Sequence, residues 1–311
     1  MWEEVDLRQR IENCAKAYEA DLVCFGNAER FRGTRVPELF PETRTVICLA
    51  FRVARGVYRG IEEGTTYYQY CTNGVEVLEE TVMPRALLRV TALLEDEGYL
   101  ALPQRRHQCV MEQETGHNFE VHYEEIYHGR FTEPSLNFED CAVRCGLGEL
   151  GRQGSLLTER FGPMQRWCFV LTDAELEPTP LPEKKLCDGC GACERACPGH
   201  AVVDGGRDPW QCGAYYRGAR QSKNPFMPPD AFPDLPEREA VMAGEIKLNP
   251  EQSIRVMQEC YFYPPIKQGY ASSICGRACD MACYAHLEEQ GKLTSRFALP
   301  FRRRPEWGLS D

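Results

Sequence analysis

The chain has 311 residues, 43% of them hydrophobic, and a formal net charge of -11. That length holds one sizeable α/β domain plus a small module, and the acidic balance argues against nucleic acid, whose affinity for proteins is largely phosphate neutralisation by Lys and Arg. No run of about eighteen apolar residues offers a membrane span, and no apolar leader follows Met1, so a cytoplasmic location is expected.

Helix-like and strand-like segments alternate from Met1 to about Thr172, which predicts a mixed α/β layer domain. Val5 to Tyr18 reads as a first helix, and Asp21 to Gly26 and Thr45 to Phe51 as short buried strands bounded by Gly and Pro. Val75 to Glu97 is the longest helical pattern; Pro84 must break or kink it, and Gly98 ends it. Strands follow at Tyr99 to Leu102 and Arg166 to Leu171, with a helix-like Glu139 to Arg144 between them. Pro178, Pro180 and Pro182 mark a stiff connection, which sets the expected domains at 1–177 and 178–311.

Gly146, Gly148, Gly151 and Gly154 form a loop with a literal G-x-G-x-x-G, and Asp173 follows about twenty residues on. A dinucleotide site needs a buried strand before the glycines and a long helix after them, and neither is evident. The loop reads instead as a place where backbone passes close to a large cofactor or cluster, or as a plain tight turn.

Eight of the 17 cysteines carry the strongest signal. Cys187, Cys190, Cys193 and Cys197-Pro198 spell C-x2-C-x2-C-x3-C-P, the bacterial ferredoxin run whose fourth cysteine serves the other cluster. With Cys212 and the triplet Cys275, Cys279 and Cys283 the count closes for two 4Fe-4S clusters: Cys187, Cys190, Cys193 and Cys283 for the first, Cys197, Cys212, Cys275 and Cys279 for the second, and Cys260 in reserve. Structural zinc also uses C-x2-C pairs, but four cysteines in so short a run with a terminal Cys-Pro suit a cubane better. A disulfide framework belongs to short secreted chains. The cysteines outside the pattern, among them Cys14, Cys24, Cys48, Cys71 and Cys168, read as buried free thiols.

The stretch Ala142 to Arg152, with Leu156-Leu157, Phe161-Gly162 and Leu171-Thr172-Asp173, resembles the A-G-L-G-W-I-G-K-x-x-L-L signature of epoxyqueuosine reductases and the related reductive dehalogenases. The resemblance continues through the cysteine run, Asp208-Pro209-Trp210-Gln211-Cys212, and the closing cysteine triplet, and covers most of the chain. It implies an α/β (α+β) fold, with a nitroreductase-like cofactor domain followed by a ferredoxin-like double 4Fe-4S module. It also implies base-off cobalamin against Gly146, Leu147, Gly148, Gly151, Arg152, Gln153 and Gly154. The chain departs from that family at Glu149-Leu150 in place of Trp-Ile, at Arg152 in place of Lys, in the three residues between Cys275 and Cys279, and at Tyr284 in place of Pro.

The expected activity is that of a reductase in which electrons from a ferredoxin or flavodoxin pass through the clusters to cobalamin and a small organic substrate. Candidate proton donors are Tyr127, His128 and Glu133, with Tyr123 beside them. His117, His122 and His128 with nearby glutamates lack the spacing of a helical zinc pair and read as a polar loop. An epoxyqueuosine tRNA target conflicts with the acidic balance, so tRNA and membrane are set aside as partners and a homodimer is left open. Residues 222–254, rich in proline, read as an insertion that walls a pocket or binds a partner. Two other classes compete: an electron-transfer protein of the same fold without corrinoid, and one carrying flavin.

Overall fold

The structure, a computed structural model, describes residues 6–63, 69–106, 135–260 and 273–301. The chain is mixed α/β with small sheets and forms two compact units. The first comprises 1–51, 82–147 and 167–181; the second comprises 52–81, 148–166 and 182–311. The cysteine-bearing unit therefore includes two segments from upstream of the proline-rich connection, something no single cut of the chain describes.

The first unit is built on an antiparallel sheet of β1 (Leu22–Asn27), β2 (Thr45–Arg52), β3 (Ala101–Gln104) and β4 (Gln165–Thr172), in the order β1-β2-β4-β3. β1 pairs with β2 from Leu22 opposite Ala50 to Asn27 opposite Thr45, and β3 pairs with β4 from Ala101 opposite Thr172. The two inner strands read as continuous apolar runs, Val46 to Phe51 and Trp167 to Leu171, and both runs are buried, as strands covered on both faces must be. Pro103 sits on the edge strand, where a missing N–H costs no ladder bond.

Helix α1 (Leu7–Ala17) begins where the Asp6 side chain accepts the Gln9 N–H at 2.7 Å, a standard N-cap, and buries Ile11 and Ala15. It packs on α2 (Met83–Asp96), which buries Ala86, Leu87, Val90 and Leu94. The sequence predicted one kinked helix from Val75. Instead, wide π-type turns at Tyr70–Glu76 and Leu78–Val82 give way to α-helix at Met83. Pro84 lies in the first turn of α2, where its missing N–H has no intrahelical partner to lose. Helix α3 (Phe138–Arg144) leads into the glycine loop and is capped by Asn137.

The second unit contains α4 (Ala192–Ala196), α5 (Pro209–Tyr216), α6 (Pro250–Glu259) and α7 (Ala278–Glu289), and α4, α5 and α7 carry cysteines of the pattern. Ala192 and Ala196 of α4 pack on Ala278 and Ala282 of α7, small residues that let the two helices approach closely. The proline-rich segment is not a bare loop: Met227, Phe232, Leu235, Val241 and Leu248 share a core with Tyr215 and Val256. Cys260 is fully buried in that same core.

A buried ion pair of Glu79 and Arg166 also lies in this unit. Burial works against the Arg166 charge and the adjacent Glu79 more than offsets it. Glu79→Ala would leave that guanidinium uncompensated and should cost about 3–5 kcal/mol, read as a lower urea midpoint at unchanged slope. A midpoint within error of the parent would show that solvent reaches Arg166.

Candidate functional site

The eight cysteines of the pattern all lie in the second unit, four of them on or at the end of the packed helices α4 and α7. Helix α4 carries Cys193 and ends at Cys197, while α7 carries Cys279 and Cys283 one turn apart on one face. Cys193 and Cys279 share a small buried cluster with Val202, against which Cys197 packs, and the charged neighbours of five of the thiols are compatible with two sets of four. Burial first, then the neighbouring Cys190 and Cys187, raises the Cys193 pKa. Cys283 is raised by burial and Asp280, with further contributions from Cys193 and Cys187. In the other set burial raises Cys212, with Cys197 adding to it, and pushes Cys275 up to about 12, with Cys212 and Cys197 adding to it. Cys279 is held well above the ordinary thiol value by burial and by Asp280, with a lesser contribution from Cys275. Cys260, the reserve ligand, is raised to about 12 by burial, with Arg217 and Glu259 rather than other thiols as its charged neighbours.

The local chain explains how the first set is presented. Gly189 and Gly191 take positive φ angles of 75° and 72°, which turns the loop between Cys187 and α4 at little cost. Glu149 holds the start of that loop: its Oε1 accepts the N–H of Leu186 at 2.7 Å and of Cys187 at 2.6 Å. Asp188 accepts the Cys190 N–H at 3.2 Å, and its other oxygen meets His286 at 2.8 Å and Lys292 at 3.1 Å. Cys190 is exposed and Cys193 buried. In the second set, Cys197 Sγ accepts the Ala201 N–H at 3.2 Å, and Ser273 Oγ lies 3.9 Å from Cys275 Sγ.

Two buried donors point to anionic guests. Gln153 lies against Cys283, where its side-chain hydrogen bond draws the thiol pKa down, and its Nε2 has no further hydrogen-bond partner among the described residues. Arg277 Nε, adjoining the second set, is likewise buried without one. Unpaired buried donors are costly unless something accepts from them, and cluster sulfurs are such acceptors.

Zinc and a cubane ask for different spacing of their thiolates. Tetrahedral zinc with Zn–S near 2.3 Å brings its thiolates to within about 4 Å of one another. Among the described residues, the only three potential ligand atoms within 4.8 Å of one another are those of Asp188, Cys190 and His286. Lys292 already occupies the same Asp188 oxygen as His286, so that trio is an ion-pair cluster. In a cubane each thiolate binds a different iron, which sets the sulfurs further apart than a shared ion does.

The glycine loop is packed on protein. A side chain at Gly146, whose φ is +84°, would lie 2.7 Å from the Pro180 carbonyl; one at Gly148 would run into the Leu157 carbonyl; one at Gly151 would meet Gln153 Oε1 at 2.6 Å. At Gly154 it would lie 3.2 Å from the Gly206 Cα. The loop closes as a hairpin of Glu149–Leu150 against Leu156–Leu157, with no long helix behind it. Leu147 is buried, while Arg152 reaches Glu194 at 3.1 Å and Asp204 at 3.2 Å. Tyr123, Tyr127, His128 and Glu133, and the other histidines of that segment, lie outside the described residues.

Sequence reasoning missed Glu149 as an anchor of the cysteine loop, and missed the group formed by Ser155, Arg207, Arg277 and Asp280. Ser155 Oγ donates to Asp280 at 2.6 Å and accepts from Arg207 at 3.2 Å, and Arg277 pairs with Asp280. The left-handed backbone of Arg277, φ 51°, is the kind of feature only coordinates reveal.

No family model matches the chain. A stretch of 64 residues, 20% of the chain, is 44% identical to the tetrachloroethene reductive dehalogenase of Desulfitobacterium hafniense and spans 12% of that protein. Among solved structures, a reductive dehalogenase linked to B12-dependent dehalogenation is similar with a TM-score of 0.50 at 16% identity, over 83% of this chain and 37% of that one. An epoxyqueuosine reductase from Bacillus subtilis is similar with a TM-score of 0.46 at 14% identity, over 92% of this chain and 83% of that one. These relatives and neighbours are all reductases.

Proposed function

We propose that the chain is an iron-sulfur oxidoreductase holding two 4Fe-4S clusters, the first on Cys187, Cys190, Cys193 and Cys283 and the second on Cys197, Cys212, Cys275 and Cys279. The observation that carries this reading is the gathering of all eight cysteines in the second unit, with α4 packed on α7 and the Arg277 Nε buried without a partner beside Cys279. Bound there, the clusters supply one-electron transfer at low potential. The chain's own residues hold and shape the sites. Glu149 and Gly191 set the first loop, the α4–α7 pair spaces the two sets, and Gln153 and Arg277 donate toward sulfur. Because burial holds the Cys279 and Cys283 thiols well above their ordinary pKa, and a cluster binds thiolates, loading should release protons.

On this reading the antiparallel sheet of the first unit is the core of a nitroreductase-like domain, and the cysteine-bearing chain is a ferredoxin-like module. A ferredoxin or flavodoxin supplies the electrons, and the acceptor is a small organic molecule, as for the dehalogenases named above. Cobalamin is implied by the resemblance and by the B12 dependence of the structural neighbour. The described glycine-loop residues do not make a cradle for it, since the space beside each glycine is taken by protein, and no step of this reading runs through a corrinoid. The same observation, with Glu149 committed to the cysteine loop, favours a second reading: an electron-transfer protein of this fold without corrinoid.

Anaerobic reconstitution, incubation with hydroxocobalamin, desalting and metal analysis separate the two. About eight irons per chain are expected on either reading. Retained cobalt with a base-off spectrum selects the corrinoid enzyme; eight irons without cobalt select the electron carrier, and fewer than four irons overturn both.

A further inference from the structure

The two cysteine sets sit in different electrostatic surroundings. Beside the second set lie the guanidiniums of Arg207 and Arg277, and against them is the carboxylate of Asp280, 2% exposed. Asp280 is already committed, to Ser155 and to Arg277, so the local balance is one positive charge in excess. Tyr58 and Tyr216, which also face Arg277, are pushed up by burial. Cys279 is also in the first turn of α7, where the helix end adds a positive field.

Arg277 is held there against its backbone preference. Its φ of 51° is a conformation that glycine adopts freely and other residues at a cost, and its side chain caps nothing on α7. A position that strained would suit glycine better unless the guanidinium has a use, and its Nε is buried with no partner.

The first set is the converse. Glu149 places a carboxylate against the start of the Cys187 loop and takes two backbone N–H groups, so those donors are lost to any sulfur nearby. Asp188 adds a second carboxylate, answered by Lys292 and His286, and Arg195 donates to the Cys190 carbonyl at 3.0 Å from an exposed position where solvent screens it.

Cluster potentials respond to net charge, to hydrogen bonds on sulfur and to exposure. We propose that Arg277 and Arg207 make Cys197, Cys212, Cys275 and Cys279 the seat of the more easily reduced cluster, and that Glu149 holds the cluster on Cys187, Cys190, Cys193 and Cys283 at the lower potential. This rests on the two-cluster reading above. Each cluster takes up one electron from an external low-potential donor, and reduction fills the second site first.

The test is an EPR-monitored anaerobic titration of the reconstituted full chain with dithionite, with iron counted in every sample. Two one-electron midpoints are expected in the parent. Arg277→Gln should lower the upper midpoint by a tenfold change in the reduction equilibrium or more, about 59 mV for a one-electron couple, and leave the lower one in place. Arg277→Lys should restore most of the shift, and Glu149→Gln should raise only the lower midpoint. If Arg277→Gln fails to load iron, Arg207→Gln is expected to shift the same midpoint the same way. A protein with about eight irons in which these variants move neither midpoint, or move the wrong one, overturns the proposal. A parent that binds no iron overturns the two-cluster reading instead.

Discussion

Cys187→Ala and Cys275→Ala should each remove about four of eight irons, and the double variant should bind almost none. The informative case is Cys197, which belongs to the ferredoxin run in sequence but to the second set in the proposed assignment. Combined with Cys275→Ala, Cys197→Ala should cause no further loss, because both remove the same cluster. Combined with Cys187→Ala it should abolish iron binding, because the two act on separate sites. Cys260→Ala is the control: its thiol is enclosed in the core around Phe232 and Val256, so iron should be unchanged. Iron that follows the linear run, with Cys187→Ala and Cys197→Ala equivalent in every combination, would contradict the assignment.

Gly148→Val should damage the cysteine module rather than a cofactor pocket in isolation. Any side chain at this position collides with the Leu157 carbonyl, which is backbone and cannot swing aside. The hairpin that would open is the one that carries Glu149, and with it the anchor of Leu186 and Cys187. Overpacking of this kind costs about 1–3 kcal/mol or more, so a lowered urea midpoint and reduced iron at the first site are expected together. Gly56→Ala is the matched control, since nothing lies within 4 Å of a side chain there and its backbone needs no positive φ. A Gly148→Val protein of parental stability and iron content would mean that the hairpin relaxes around the new side chain.

What could be read from the sequence was what depends on spacing. The cysteine run and triplet announce cluster chemistry because a cubane needs several thiolates delivered by neighbouring turns of chain. The inner strands Val46 to Phe51 and Trp167 to Leu171 were visible because strands buried on both faces must be apolar throughout. The glycine loop was visible as unusual, but its reason was not: Leu157, Pro180 and Gly206, which fill the space beside its glycines, lie at separations no local pattern encodes.

Glu149 shows the same limit. In sequence it is a departure from a family motif; in the structure its carboxylate ties the loop that presents Cys187. Arg277 and Asp280 read as ordinary charges near a cysteine triplet, and only their pairing with Ser155 and Arg207 gives them a role. The π-type turns before Pro84 were hidden because π and α patterns bury similar residues over so short a span.

The most direct measurement is anomalous diffraction at the iron edge from crystals of the anaerobically reconstituted protein. Two iron maxima per chain are predicted, one enclosed by the sulfurs of Cys187, Cys190, Cys193 and Cys283 and the other by those of Cys197, Cys212, Cys275 and Cys279. A single maximum, a signal at the zinc edge instead, or a maximum ligated by Cys260 would contradict the account.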